Sequence, residues 1–174
     1  MAYNFDMANK GRAFEEEVIR ANTYYRNTGQ ALVQKISTPW TVVRKGNKII
    51  SAYPQGKSTL DFRGTVKGGL SISFDCKECE EEKGLLLKYI QEHQIEYIRN
   101  ALDIGETSFI LCFMKKLNKV FFINGEIVIE YWDRWKVNKG KRGYNYIPVL
   151  DMKELSYGEN ANLDYLKALL NWKI

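Results

Sequence analysis

Thr59-Leu60-Asp61-Phe62-Arg63-Gly64-Thr65-Val66, then Lys67-Gly68-Gly69, then Leu70-Ser71-Ile72-Ser73-Phe74-Asp75-Cys76-Lys77, read as two alternating runs around a glycine-rich three-residue turn. Such a pattern predicts a β-hairpin. Because successive side chains of a strand alternate between faces, Leu70, Ile72, Phe74 and Cys76 share one face and Ser71, Ser73, Asp75 and Lys77 the other. If Val66 and Leu70 close the turn, Asp61 falls opposite Asp75 and Thr59 opposite Lys77, with all four side chains on one face.

Two carboxylates facing each other across a ladder repel unless something cationic lies between them. Carboxylate oxygens completed by water and phosphate oxygens are what Mg²⁺ requires. An ammonium on the same face, two residues beyond the second carboxylate, can orient a water or neutralise charge developing on a phosphate. The ordinary alternative is a solvated hairpin face with the register displaced by one. Two further residues favour the first reading. Gln94 sits on the apolar stripe of a predicted helix, where an amide is costly unless it reaches a partner such as these carboxylates. Glu15 follows Phe14 on another helix and lies within reach of the rim of the same sheet, although a solvated acidic face over Glu15-Glu16-Glu17 explains it as well.

Outward from the hairpin, Phe14, Val18, Ala21 and Tyr25 mark a first helix over Ala8 to Arg26. Ala31 to Ile36 and Trp40 to Val43 read as extended pieces, and Lys45-Gly46-Asn47-Lys48 as a hairpin tip. A second helix is predicted over Leu85 to Leu102, strands over Thr107 to Met114 and Lys119 to Ile123, a short helix over Glu126 to Trp135, and a closing amphipathic helix over Asn162 to Trp172. This order predicts an α/β protein, a mixed sheet with helices packed on it, in one domain over residues 1–174.

The 174 residues carry 26 Lys and Arg against 21 Asp and Glu, for a net charge of +5, and the charge is unevenly spread. Val18 to Leu60 contains no acid but has Arg20, Arg26, Lys35, Arg44, Lys45, Lys48 and Lys57. Arg134 to Leu150 is likewise acid-free and adds Arg134, Lys136, Lys139, Lys141 and Arg142. The rest of the chain is acidic in balance, so the basic field is concentrated as a polyanion such as nucleic acid would require. From the basic stretches, Arg44, Lys45, Lys48, Lys57, Lys139, Lys141 and Arg142 are the expected DNA contacts, whereas the tryptophans among them are expected to pack. No apolar run approaches a membrane span and the N-terminus lacks a hydrophobic signal core, so a cytoplasmic protein without a membrane partner is expected. The three cysteines read as reduced thiols, with little to favour zinc at Cys76 and Cys79, and no Ser or Cys has an adjacent base for nucleophilic catalysis.

Gly11 to Tyr25, Thr38-Pro39, Ser58 to Gly64, Phe74-Asp75-Cys76-Lys77-Glu78 and His93-Gln94-Ile95-Glu96 occur in an order and spacing that resembles the PD-(D/E)XK nuclease superfamily. Within it the chain is similar to the RecU-type Holliday-junction resolvases of Gram-positive bacteria and their phages. Asp75 stands where that family more often has Glu. The resemblance implies a restriction-endonuclease-like core, with Asp61, Asp75 and Glu15 as metal ligands, Lys77 as the catalytic lysine and Gln94 as the conserved helix glutamine. It implies Mg²⁺ or Mn²⁺ as cofactor, a homodimer, and a stalk over about residues 38–57 that enters the centre of a four-way junction. The expected function is therefore junction resolution by paired nicks in recombination and repair, at the nucleoid, with a recombinase as a possible further partner. Two alternatives remain: a nuclease for forks or flaps, and a branched-DNA-binding recombination accessory with weak or no cleavage.

Overall fold

The computed structural model describes residues 12–37, 40–54, 59–158 and 163–172. Gly11, the Thr38-Pro39 step, Lys57, Ser58 and Asn162 lie outside these residues.

Helix α1 (Arg12–Asn27) is followed by strand β1 (Ala31–Lys35), then by a ribbon of β2 (Trp40–Lys45) and β3 (Lys48–Pro54). The predicted hairpin is β4 (Phe62–Val66) and β5 (Leu70–Cys79). After it come β6 (Gly84–Leu86), a single 3-10 turn at Leu87–Tyr89 and helix α2 (Glu92–Asp103). The chain continues with β7 (Thr107–Met114), β8 (Lys119–Asn124), helix α3 (Gly125–Val137), β9 (Tyr146–Pro148), β10 (Lys153–Glu154) and helix α4 (Tyr165–Trp172). Six strands form the main sheet in the order β1-β4-β5-β7-β8-β10. Only the central pair, β5 with β7, is parallel; the other pairs are antiparallel.

Helices α2, in the crossover from β5 to β7, and α3, after β8, cover one face of this sheet, and α1 with α4 cover the other. On the α1/α4 face the rings of Phe62, Phe74, Phe109 and Phe122 form a row across four strands, with successive centroids 5.0, 4.7 and 4.7 Å apart. Tyr165 of α4 leans on this row and donates to Asn22 of α1, so the last helix is tied to the first through the core. On the opposite face Ile110, Cys112, Phe121 and Ile123 meet Ile95 and Ile98 of α2 and Val128 and Trp132 of α3. Trp132 packs there as expected, and Trp135 is partly buried against it.

The hairpin has the predicted register, Val66 opposite Leu70 and Phe62 opposite Phe74, around the turn at Lys67-Gly68-Gly69. Pairing stops at Phe62, so Thr59 is not laddered opposite Lys77 and Asp61 lies in a bend at the strand's start. The second helix is shorter than expected. Gly84–Leu86 pairs antiparallel with Tyr146–Pro148, and Leu87 donates its N–H to the Asn145 carbonyl. The apolar run there is a buried strand, which periodicity alone does not distinguish from a buried helix segment. The helix begins only after Gln91, where Gln91 and Gln94 cap each other's backbone N–H groups.

The β2–β3 ribbon forms its own two-stranded sheet, turning at Gly46 with a φ of +61°. Apart from half-buried Thr41, its side chains from Trp40 to Tyr53 are exposed. Among the described residues, no helix is long and apolar enough to cross a membrane.

Candidate active site

Asp75 lies in the middle of β5 and is 1% exposed. Strand alternation turns it away from the phenylalanine row and toward α2. There its Oδ1 accepts a hydrogen bond from Gln94 Nε2 at 2.7 Å. Its Oδ2 lies 2.6 Å from Lys77 Nζ but takes no well-directed hydrogen bond from a described protein donor. Lys77 Nζ in turn donates to Gln94 Oε1 at 3.1 Å. The same Oε1 accepts the Gln91 N–H that opens α2. Gln94, placed on the helix stripe by sequence, thus holds the carboxylate with one end of its amide and the ammonium with the other.

Burial pushes the Asp75 carboxyl up to about 7; Lys77 pulls it back, and the neighbouring Asp61 raises it again. This charge is incompletely compensated by the protein. A buried carboxylate oxygen without a directed donor, beside a second carboxylate, suits a hard cation.

Asp61 sits where β4 leaves the ladder. Its carbonyl accepts the Ile36 N–H at 2.7 Å, and its Oδ2 accepts the Cys76 N–H at 2.9 Å. The side chain therefore replaces a backbone partner on β5, bringing its carboxylate to the end of the strand pair. Glu15 reaches the same region from α1, which packs on the other sheet face. Its carboxylate is ion-paired with Lys35, the last residue of β1. The Cys76 thiol marks the convergence: burial raises its pKa well above the usual thiol range, and Asp61, Asp75 and Glu15 raise it further. All three carboxylates are felt at this point of β5, but they do not form a closed cage. Among the described residues, no group of three or more His, Cys, Asp or Glu is arranged to hold an ion outright.

The basic positions lie in two other places. Arg44, Lys45 and Lys48 are exposed at the ribbon tip, where Lys45 pairs with Lys48 across the turn. Lys139, Lys141 and Arg142 are exposed in the loop between α3 and β9, with Lys141 Nζ 3.1 Å from Asn138 Oδ1. Lys57 is outside the described residues.

The family model Recombination protein U (RecU) matches residues 9–171. The chain belongs to the RecU family. It is 32% identical to the Holliday junction resolvase RecU of Pediococcus pentosaceus over 170 residues, covering 92% of this chain and 82% of that protein. With the Oenococcus oeni Holliday junction resolvase RecU it is 31% identical over 174 residues, covering 95% and 87%. Among solved structures it is similar to Hjc, a Holliday junction resolvase of Archaeoglobus fulgidus, at 12% identity and a TM-score of 0.42, covering 68% of this chain and 75% of that one.

The sequence pattern points to Asp61, Asp75, Lys77, Gln94 and Glu15, of which the structure brings Asp75, Lys77 and Gln94 into direct contact. The pattern misses Lys35, whose pairing with Glu15 depends on how α1 lies over the end of β1. It also misses Arg63 and Glu106, an ion pair between β4 and the residue before β7. The available signal for Arg63 was its strand parity, which places it on the Asp75 face.

Proposed function

We propose that this RecU-family chain is a divalent-metal-dependent endonuclease that acts on four-way DNA junctions, as its relatives' names describe for them. The observation that carries this reading is the buried Asp75, joined to Lys77 and Gln94 and beside Asp61. Asp75, Asp61 and Glu15 would hold the metal, with Mg²⁺ the cation of choice for this oxygen set and Mn²⁺ a substitute. When bound, such an ion polarises the scissile phosphate and acidifies a water. Gln94 keeps Asp75 Oδ1 occupied, so an ion taking Oδ2 would share it with Lys77 Nζ, 2.6 Å away. Lys77 sits at the rim of this carboxylate, where its ammonium can donate a proton or a hydrogen bond to charge developing on phosphate oxygen. Cutting by in-line displacement of the 3′-oxygen leaves a 5′-phosphate.

The exposed ribbon supplies the stalk of this reading, and Arg44, Lys45, Lys48, Lys57, Lys139, Lys141 and Arg142 its phosphate contacts. Resolution requires symmetric nicks in two strands, for which a homodimer provides two equivalent sites. A cleavage assay on a mobile four-way junction, with a fork and a linear duplex alongside, tests the proposal in Mg²⁺ and in EDTA. Paired nicks in the junction alone, dependent on Mg²⁺, are expected. Preferential cutting of the fork would change the substrate, and junction binding with no cutting in Mg²⁺ or Mn²⁺ would make the chain a branched-DNA-binding accessory.

A further inference from the structure

On the α2 side of the sheet, helices cover β5, β7 and β8 but leave β1 and β4 open. Leu32 and Gln34 of β1, with Thr65 and Arg63 of β4, are exposed on that face in register, Gln34 opposite Arg63 and Leu32 opposite Thr65. They form a shelf whose inner wall is α2 and whose edge runs along β5 to Asp75. Arg63 brings a positive charge to this shelf. It pairs with Ser73, and Asp75 follows two residues later on the same face, about 7 Å along an extended strand. The Arg63 side chain itself reaches across to Glu106 before β7, so the guanidinium lies along the shelf from Asp75 rather than against it.

The anchoring of Arg63 is unusual for a surface arginine. One guanidinium nitrogen, Nη2, donates to Glu106 Oε2 at 3.0 Å. The Arg63 side chain is 55% exposed while that of Glu106 is only 4% exposed. Glu106 Oε1 also accepts from the Tyr97 hydroxyl at 3.4 Å, one helical turn after Gln94 on α2. The buried carboxylate is held from two sides and fixes one corner of the guanidinium, while the Arg63 side chain stays more than half exposed. A planar donor fork held in place at low entropic cost is well suited to phosphate.

The geometry points to Arg63 as a phosphate-binding residue next to the cleavage site, with Glu106 as its positioning residue. It takes a DNA-strand phosphate neighbouring the one at Asp75. This inference rests on the nuclease reading above and assigns that site a substrate contact separate from the ribbon and the 139–142 loop.

The test compares wild type with the double variant Arg63→Gln/Glu106→Gln, which replaces the ion pair by two amides that can still bond each other and leaves no buried charge unpaired. Binding of a synthetic immobile four-way junction is measured in Ca²⁺ over a range of salt, and cleavage in Mg²⁺. The double variant is expected to bind about tenfold more weakly at physiological salt, with the slope of log K against log salt reduced by about 0.9, one phosphate contact. Glu106→Gln alone should raise KM while preserving most of the salt slope, because the charge remains but its orientation is lost. Should the double variant not fold, Arg63→Lys keeps the ion pair and tests the fork alone: a raised KM at unchanged kcat supports the inference, and a wild-type KM overturns it. A wild type that cuts junctions, beside a folded double variant with unaltered affinity and slope, overturns the inference alone. A wild type that neither binds nor cuts overturns the nuclease reading and this inference with it.

Discussion

Phe74 and Asp75 are consecutive residues of one strand, 0% and 1% exposed, and the two faces they serve could hardly differ more in chemistry. Phe74 stacks between Phe62 and Phe109 under Tyr165, where each contact adds dispersion and removes apolar surface from water. Asp75 is equally dry but brings a charge whose local compensation is one lysine and one amide. Equal burial therefore has opposite thermodynamic meaning on the two sides of β5. One face stabilises the fold, and the other stores a charge that a cation would relieve.

The sharpest way to break this comparison is to neutralise the polar side. Asp75→Asn should reduce junction cleavage in Mg²⁺ by at least about a thousandfold while leaving junction binding within a few-fold. The metal-free protein should respond in the opposite sense. A carboxyl whose folded pKa, about 7, lies above its ordinary 3.8 contributes stability that is complete below about pH 4 and is lost as pH rises through 7. In EDTA, Asp75→Asn should therefore melt above wild type at pH 8 and with it near pH 4, as thermal denaturation will show. A wild-type melting temperature above that of the variant at pH 8 would mean that Lys77 and Gln94 already compensate the charge.

On the apolar side, Phe74→Ala should cost about 3–5 kcal/mol, measured by urea denaturation, with cleavage falling only in proportion to the unfolded fraction. Lys77→Ala separates the two roles on the polar face: cleavage should fall about a hundredfold, while calorimetric titration still detects Mn²⁺ binding. Gln94→Leu keeps the helix stripe apolar and releases Asp75, and a tenfold to hundredfold loss of metal affinity is expected by the same titration. The smallest effect belongs to the ribbon. Arg44→Ala/Lys45→Ala/Lys48→Ala should change stability by no more than about 0.5 kcal/mol. It should weaken junction binding more than duplex binding and flatten the salt dependence by up to about 0.9 per lost contact.

The face of β5 was legible in sequence because the Lys67-Gly68-Gly69 turn fixed the register, and register in a hairpin fixes parity. Gln94 was legible for a different reason, as a polar residue on an apolar stripe that needed a partner. What failed was whatever depended on distant partners. Leu85 looked helical because its strand partner, Ile147, lies far along the chain. Asp61 was expected inside a ladder, but its carboxylate takes the Cys76 N–H, so β4 begins only at Phe62 rather than at Thr59. Lys35 and Glu106 carried no local pattern, since their ion pairs come from the way helix, strand and loop meet in space.

The amide of Gln94 has one last consequence. Its oxygen closes the first turn of α2 by accepting the Gln91 N–H, and its nitrogen grips Asp75. Helix ends are where local opening is easiest, yet fraying of this end would release Asp75 Oδ1 and with it the hold on the carboxylate's orientation. Backbone hydrogen exchange at Gln91 is thus a direct clock for the integrity of the Asp75 face of β5: it times how often the helix lets go of the strand.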